Sequence, residues 1–414
     1  MGKTFVGIGF GPIQSGLFLL EAQQSENFER LVVAEVVPET VTAVRHEGGR
    51  VRVNVAHRDR IEVRQIDGIE IHNPLDPSDA RKLVAAIAAA DEIATALPSI
   101  DFYSRGAPSP ANLLALGLAQ KLADSTLPSA AIYAAENHNH AAEHLRDAVS
   151  TLLSVADAAE LPNRVAFVNT VIGKMSGVVT DPDQIQRDGL VPLVADVRQA
   201  VLVEQFNRIS ISQIRLADFE RGIVVFEEKP DLLPFEEAKL YGHNAAHALF
   251  GYLANQRGLT FMHEVDATDL VDFVTAAFVE ESGGALVRRH AASDPLFTAD
   301  GWAEYASDLI ERMVNPFLRD RVDRIIRDPR RKLAWDDRLV GTMRLAIQYG
   351  ITPRRYALGA TAAAEHLMAE LGEDDLEVLL RNIWPETTRA ADESARILAL
   401  IQEARGDLHT GNLD

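Results

Sequence analysis

The chain has no cysteine in its 414 residues. Disulfides, thiolate nucleophiles and cysteine-ligated zinc are therefore excluded, and with them every acyl-enzyme route through sulfur. Long apolar runs are also missing. The alanine-rich stretch from Val84 to Leu97 is broken by Asp91 and Glu92, so it does not read as a membrane span. No basic segment with an apolar signal core precedes the first strand-like run, Thr4 to Ile8, which leads us to expect a cytoplasmic protein. Positive charge is scarce relative to negative: 41 Lys and Arg against 61 Asp and Glu leave a net charge of −20. Such a surface repels a phosphate backbone, which excludes general nucleic-acid binding, and an anionic substrate would need its own basic pocket. With 47% hydrophobic residues, the chain can bury ample core over two or three domains.

The N-terminal half reads as alternating strand and helix. Thr4–Ile8 is a buried parallel strand, Gly7, Gly9 and Gly11 form a glycine-rich turn, Pro12 opens a helix with Ile13, Leu17 and Leu20 at helical spacing, and Leu31–Ala34 is a second strand ending at Glu35. Alternation at 51–55, 61–64 and 69–71 predicts short antiparallel strands inserted after it. Helix 78–90, strand 92–97, helix 111–122 and strand 129–134 follow, implying a doubly wound sheet. From Asp231 onward, apolar residues recur at three and four spacing over 270–278, 301–313, 316–326, 337–349, 361–371, 376–382 and 390–404. The fold class is α/β: a Rossmann-type domain over 1–230 followed by an all-α domain over 231–414.

A glycine turn between strand and helix brings backbone amides against a pyrophosphate at the positive helix end. The candidate cofactor contacts are Gly7, Gly9, Gly11, Ile13, Gly16, Glu35 and Thr95. Pro12 occupies the last glycine position of the usual pattern. Glu35 ends the second strand about twenty residues on, where a carboxylate accepts ribose hydroxyls and repels a 2′-phosphate, favouring NAD. The alternative is a structural turn with a surface glutamate.

Pro234 to His247 carries helix-start signals, and on a regular helix Glu236, Lys239, His243, Asn244 and His247 share an arc of about 140°. Lysine titrates near about 10.4 in water, so service as a general base near pH 8 requires about 3 to 4 kcal/mol of differential stabilisation, which burial supplies. The plainer reading is a lysine stem on a helix edge with two core histidines. Asn137, after the strand ending at Ala135, either donates to a developing alkoxide or caps the next helix. His138, His140 and His144 are read as part of a polar helix rather than a metal site. Arg324, Arg327 and Arg331 recur at three and four spacing and converge on one anion, or else belong to a solvated helix paired with Asp320, Asp323 and Asp328.

The run Glu236-x-x-Lys239-x-x-x-x-Asn244-x-x-His247 resembles the signature of the polyol-specific long-chain dehydrogenases, the mannitol dehydrogenase family. The glycine turn, Glu136-Asn137, Asn315-Pro316-Phe317-Leu318 and Arg327-x-Pro329-x-Arg331-Lys332-Leu333-x-x-x-Asp337-Arg338-Leu339 follow in the expected order, the last two most similar to the mannitol-1-phosphate 5-dehydrogenase branch. The resemblance implies a metal-independent, NAD-dependent enzyme with its active site between the two domains, interconverting a polyol, or a sugar-alcohol phosphate, and its ketose. Lys239 would be the base, Asn137 and Asn244 the oxyanion holders, His247 a substrate-orienting group and Glu236 a modulator of proton exit. Lys174, Arg327, Arg331 and Lys332 would contact substrate. The chain departs from the family at Ser15, where an arginine is usual, at Gly173-Lys174, which replaces an Asp-Arg pair, and at His138-Asn139-His140. A uronate reductase of the same family and a catalytically silent NAD-sensing protein are the alternatives, and monomer and homo-oligomer are equally compatible with the sequence.

Overall fold

A computed structural model describes residues 2–195, 197–267, 269–388 and 392–410. The chain forms two compact units, Met1–Leu233 and Pro234–Asp414.

The first unit is built on twelve strands: β1 (Lys3–Ile8), β2 (Phe28–Ala34), β3 (Val51–Ala56), β4 (Ile61–Ile66), β5 (Ile69–His72), β6 (Glu92–Thr95), β7 (Ala130–Ala134), β8 (Val165–Val171), β9 (Ser176–Val179), β10 (Ala200–Glu204), β11 (Ile209–Ser212) and β12 (Phe226–Lys229). Eight of them form one sheet in the order β12-β11-β8-β7-β6-β1-β2-β5. From β5 to β8 all neighbours are parallel, and β11 joins β8 antiparallel. The order β5-β2-β1-β6-β7-β8 is the doubly wound dinucleotide-binding order, with its reversal between β1 and β6. Successive residues of β1 face opposite cores: Phe5 packs with Phe18 and Tyr133, whereas Val6 and Ile8 pack with Ile87, Ile93 and Ile132. Burial on both faces explains why these strands read as apolar runs.

Helix starts are set by local chemistry. Asp76 accepts from the amides of Ser78 and Asp79 ahead of helix Pro77–Ala89, and Ser109 with Asn112 forms a capping box ahead of helix Pro110–Ala123. Helix Arg354–Leu371 stops at Gly372, whose φ of 66° is left-handed.

Two expectations for this half change. Ile69–His72 is not part of the antiparallel insert; it pairs parallel with β2 as the third strand of the main sheet. The inserted hairpin β3–β4 instead joins β10 and β9 in a separate four-stranded sheet. Alternation reports one buried face, and an edge strand of the main sheet with Glu70 exposed alternates in the same way as a hairpin strand.

The second unit is helical; its described residues form no extended strand, only a bridge between Phe261 and Arg321. Its central helix, Asn244–Gln256, packs against Arg354–Leu371, and Gly359 sits where a Cβ would lie 2.6 Å from Leu249 Cδ1. The continuous helix expected over 316–326 is broken. Arg319 is left-handed (φ 51°), the Asp320 carbonyl accepts from Met262 N–H (2.9 Å) and that of Thr260 from Val322 N–H (3.0 Å), so cross-links to residues 260–262 replace helical bonds. Two short turns result, Pro316–Leu318 and Val322–Ile325. Among the described residues no helix is long and apolar enough to cross a membrane.

The first helix lies between the sheets. A side chain at Gly16 would stand 2.5 Å from Val203 Cγ1 on β10. Gly16→Val should therefore destabilise the chain by about 1 to 3 kcal/mol through overpacking. Urea unfolding measures this, and unchanged stability would contradict the close approach.

Candidate active site

In the first unit, β1 ends in a turn around Gly9, the one turn glycine with a left-handed backbone (φ 91°). A Cβ there would lie 2.7 Å from the Ala96 carbonyl, so glycine is required both by conformation and by space. Ile8, Gly9, Gly11 and Ile13 line a cavity of about 560 Å³ together with Glu35, Leu75, Ala96, Leu97 and Phe102. It lies at the carboxyl ends of β1, β2 and β6, at the topological switch point. Glu35 accepts from Val37 N–H at 2.8 Å, and burial raises its carboxyl above the ordinary range despite that bond. Directly after Ile13, Gln14 is fully buried and neither of its amide atoms has a hydrogen-bond partner, an imbalance that a bound ligand or water would relieve.

Three expected cofactor contacts serve the scaffold instead. Gly7 lies under Gln14, whose Nε2 would be 2.4 Å from a Cβ there, and Gly16 meets Val203. Thr95 is fully buried, and its hydroxyl donates to Glu136 Oε2 at 2.9 Å. Glu136 also accepts from Leu97 N–H (2.9 Å) and from the Tyr103 hydroxyl, so one buried carboxylate clasps the ends of β6 and β7 to the turn Ile100–Ser104. Burial raises its carboxyl despite those bonds. Asn137 follows, exposed; the next helix begins at Ala141, where Asn169 Oδ1 accepts from Ala142 N–H at 2.9 Å. His138 meets His144 edge to face, their ring centroids 5.0 Å apart, and among the described residues no group of three His, Asp or Glu side chains is arranged to hold a metal.

In the second unit, Lys239 lies in a π-helical turn, Ala238–His243, between helices Leu233–Glu237 and Asn244–Gln256. Asn244 N–H donates to the Lys239 carbonyl, a bond spanning five residues. On a regular helix positions five apart diverge by about 140°; the wider turn brings Lys239 and Asn244 onto one face. The close contacts around the turn involve Gly242, where a Cβ would lie 3.0 Å from both Phe278 Cε2 and Trp302 Cη2.

Lys239 is half-buried, and burial, with the like charge of Arg338, lowers it to about 8 against the opposing pull of Glu236. His243 is buried and held well below the usual histidine range by burial and by Arg312. His247 Nε2 lies 3.2 Å from Asp320 Oδ2. One end of this helical surface thus holds an amine poised near neutrality, a carboxamide and a neutral imidazole.

The expected substrate cations are arranged differently. Lys174 is buried in the first unit and donates to the Phe206 carbonyl at 2.7 Å and to that of Glu204, so its ammonium secures the end of β10. Arg324 is drawn to Asp320 (2.7 Å) and Arg331 to Asp328 (3.3 Å), while left-handed Asp328 (φ 57°) separates their turns. Arg324 and Arg331 are thus each held by a separate carboxylate. Lys332 is buried, donates to the Arg327 carbonyl and is lowered to about 8 by burial and by Arg338. The cation that acts electrostatically on Lys239, His243 and Lys332 is Arg338. It stands within the Asp337-Arg338-Leu339 motif, and only the folded chain shows which residues it influences.

Residues 231–408 match the family model described as the mannitol dehydrogenase C-terminal domain. In fold the chain resembles mannitol 2-dehydrogenase of Pseudomonas fluorescens, solved with NAD and D-mannitol: 17% identity, TM-score 0.72, covering 100% of this chain and 93% of that one. It likewise resembles a D-sorbitol dehydrogenase solved in substrate-free form, at 13% identity and TM-score 0.80, covering 100% and 94%. The helical unit thus matches a mannitol dehydrogenase C-terminal domain, and the chain shares the fold of these two structures.

The electrostatic setting of Lys239 makes an opposed pair of predictions. Its reactivity toward an amine-directed reagent, followed by peptide mass analysis, should rise with pH around a midpoint near 8. Arg338→Gln, removing a like charge, should raise the midpoint; Glu236→Gln, removing an opposite charge, should lower it. Shifts of the same sign would refute the arrangement.

Proposed function

We propose that this protein is an NAD-dependent, metal-independent dehydrogenase that interconverts a polyol and its ketose with Lys239 as general base. The observation that carries this is the lysine lowered to about 8 in a π turn beside Asn244 and His247. A base must be largely neutral at working pH, and an unperturbed lysine is not.

The glycine cradle at Gly9 and the cavity ending at Glu35 fit a dinucleotide: the turn allows close approach of backbone to phosphate, and the Glu35 carboxylate suits unphosphorylated ribose. When bound, NAD supplies the hydride acceptor. Lys239 takes the hydroxyl proton as the carbon is oxidised, Asn244 donates its carboxamide to the oxygen as negative charge develops, and His247 orients a neighbouring hydroxyl. Glu236, whose charge opposes the lowering of Lys239, assists the proton's departure toward solvent. Asn137, past the carboxyl end of β7, is assigned as a further carboxamide donor.

A sugar-alcohol phosphate is the finer reading. Its support is that Arg338, although paired with Asp337 at 2.8 Å, acts as a like charge on Lys239 and Lys332, which favours an anionic group nearby. Arg331 and Arg327 lend little, because Arg331 pairs with Asp328 and both are exposed.

Steady-state kinetics with mannitol 1-phosphate, mannitol and arabinitol should show turnover with NAD, with kcat/KM highest for the phosphate ester. Equal or better rates with free polyols would overturn the phosphate reading, and activity only with uronates would indicate the reductase alternative. Lys239→Ala should abolish turnover while leaving NAD binding intact; retained turnover would remove the base assignment. Oxidation should climb with pH and level off above about 8, because only the neutral amine accepts a proton.

A further inference from the structure

Asp320 entered the sequence reading only as one of the acids interleaved with arginines, and no step above uses it. It is 6% exposed, at the start of the segment Asp320–Ile326 that the left-handed Arg319 turns away from helix. Its main chain is pinned by Met262 N–H to its carbonyl at 2.9 Å and by the bridge between Phe261 and Arg321. One carboxylate oxygen, Oδ1, accepts from Arg324 Nε (2.9 Å) and Nη2 (2.7 Å). The other, Oδ2, faces His247 Nε2 at 3.2 Å. The approach is too oblique for a well-formed hydrogen bond, and neither atom has another hydrogen-bond partner. Two buried polar atoms that meet only each other form a contact of consequence, since each loses solvation without it. Loose alignment of this kind is common in a site without substrate and tightens on binding.

We propose that Asp320, itself held by Arg324, is the positioning residue for His247, fixing the ring proton on Nε2 so that Nδ1 presents its lone pair to a substrate hydroxyl. The carboxylate can only accept, so it selects the tautomer protonated on the nitrogen it faces; the other nitrogen is then an acceptor. A hydroxyl that donates to Nδ1 is turned so that its own oxygen is held in one orientation. Burial alone would raise the Asp320 carboxyl, but His247 and Arg324 together keep it below the ordinary aspartate range, so it stays ionised while the site works. His243, whose ring lies 6.3 Å from that of His247, is held neutral and does not compete for the carboxylate. The inference rests on the reading of His247 as a substrate-orienting group.

The test uses the full chain at saturating NAD, with mannitol or mannitol 1-phosphate, whichever the panel above shows to be turned over. Asp320→Asn should raise KM for the polyol by about ten-fold, the order of one charge-assisted hydrogen bond lost, with kcat falling by less and NAD binding unchanged. Asp320→Glu should restore part of the loss, and Arg324→Gln should raise KM by a smaller factor. A merely structural role would instead lower the active fraction, reducing kcat at constant KM. His247→Ala run in parallel separates the two claims. If it raises KM and Asp320→Asn does not, the positioning role is overturned and the His247 reading stands. If His247→Ala leaves KM unchanged, the His247 reading fails and the inference with it. Should Asp320→Asn not fold, Arg324→Gln decides: a wild-type KM there overturns the proposal.

Discussion

One main-chain hydrogen bond organises the helical unit: Asn244 N–H to the Lys239 carbonyl, five residues back instead of four. A π turn is intrinsically less favourable than the regular helix around it, so neighbours must hold it in place. Here they do so by close packing. Gly242 leaves room for Phe278 and Trp302, and the Trp302 indole N–H donates to the Phe278 carbonyl at 2.9 Å, within a second π segment, Ala277–Gly283. The consequence is geometrical. One extra residue in the turn rotates the helix that follows, so that Lys239 and the carboxamide of Asn244 five positions away share a face.

Electrostatics then follows from placement. Lys239 and Lys332 are both brought to about 8 by burial and by Arg338, and His243 is kept neutral. In a chain of net charge −20, a local excess of positive groups is the feature that an anionic ligand can recognise. The same chain holds cations in pairs, Arg331 with Asp328, Arg324 with Asp320, Arg289 with Glu237 and Arg338 itself with Asp337, yet Arg338 still acts as a like charge on Lys239 and Lys332.

The first unit shows how much of a fold can be read from pattern. Thr4–Ile8, the glycine turn and Leu31–Ala34 are legible because a doubly buried parallel strand is an apolar run and a tight left-handed turn needs glycine at Gly9. The elements that misled are those for which local pattern underdetermines the partner. Ile69–His72 alternates like the hairpin before it, yet completes the main sheet. Lys174 was expected near substrate because it stands where the resembled family has an Asp-Arg pair, but its ammonium donates to the main-chain carbonyls of Glu204 and Phe206. The strands from Val165 to Lys229 carry no periodicity strong enough to reveal their pairing in advance. At the candidate site, Glu236, Lys239, Asn244 and His247 were recognisable by spacing, whereas Asp320 was visible only as a member of a charged run and Arg338 only as part of a motif, without the residues it acts on.

By itself the sequence determined the kinds of chemistry open to this protein. Without cysteine and with a lysine, carboxamide and imidazole on one helix, it could support proton abstraction and oxyanion binding, because those depend on which functional groups exist and roughly how far apart they lie along the chain. The tertiary structure decided which groups act together. A π turn, a left-handed residue at Arg319 and the burial around Lys239 are products of long-range packing, and proton affinity depends on the surroundings that packing creates. Spacing along a chain carries no information about that environment.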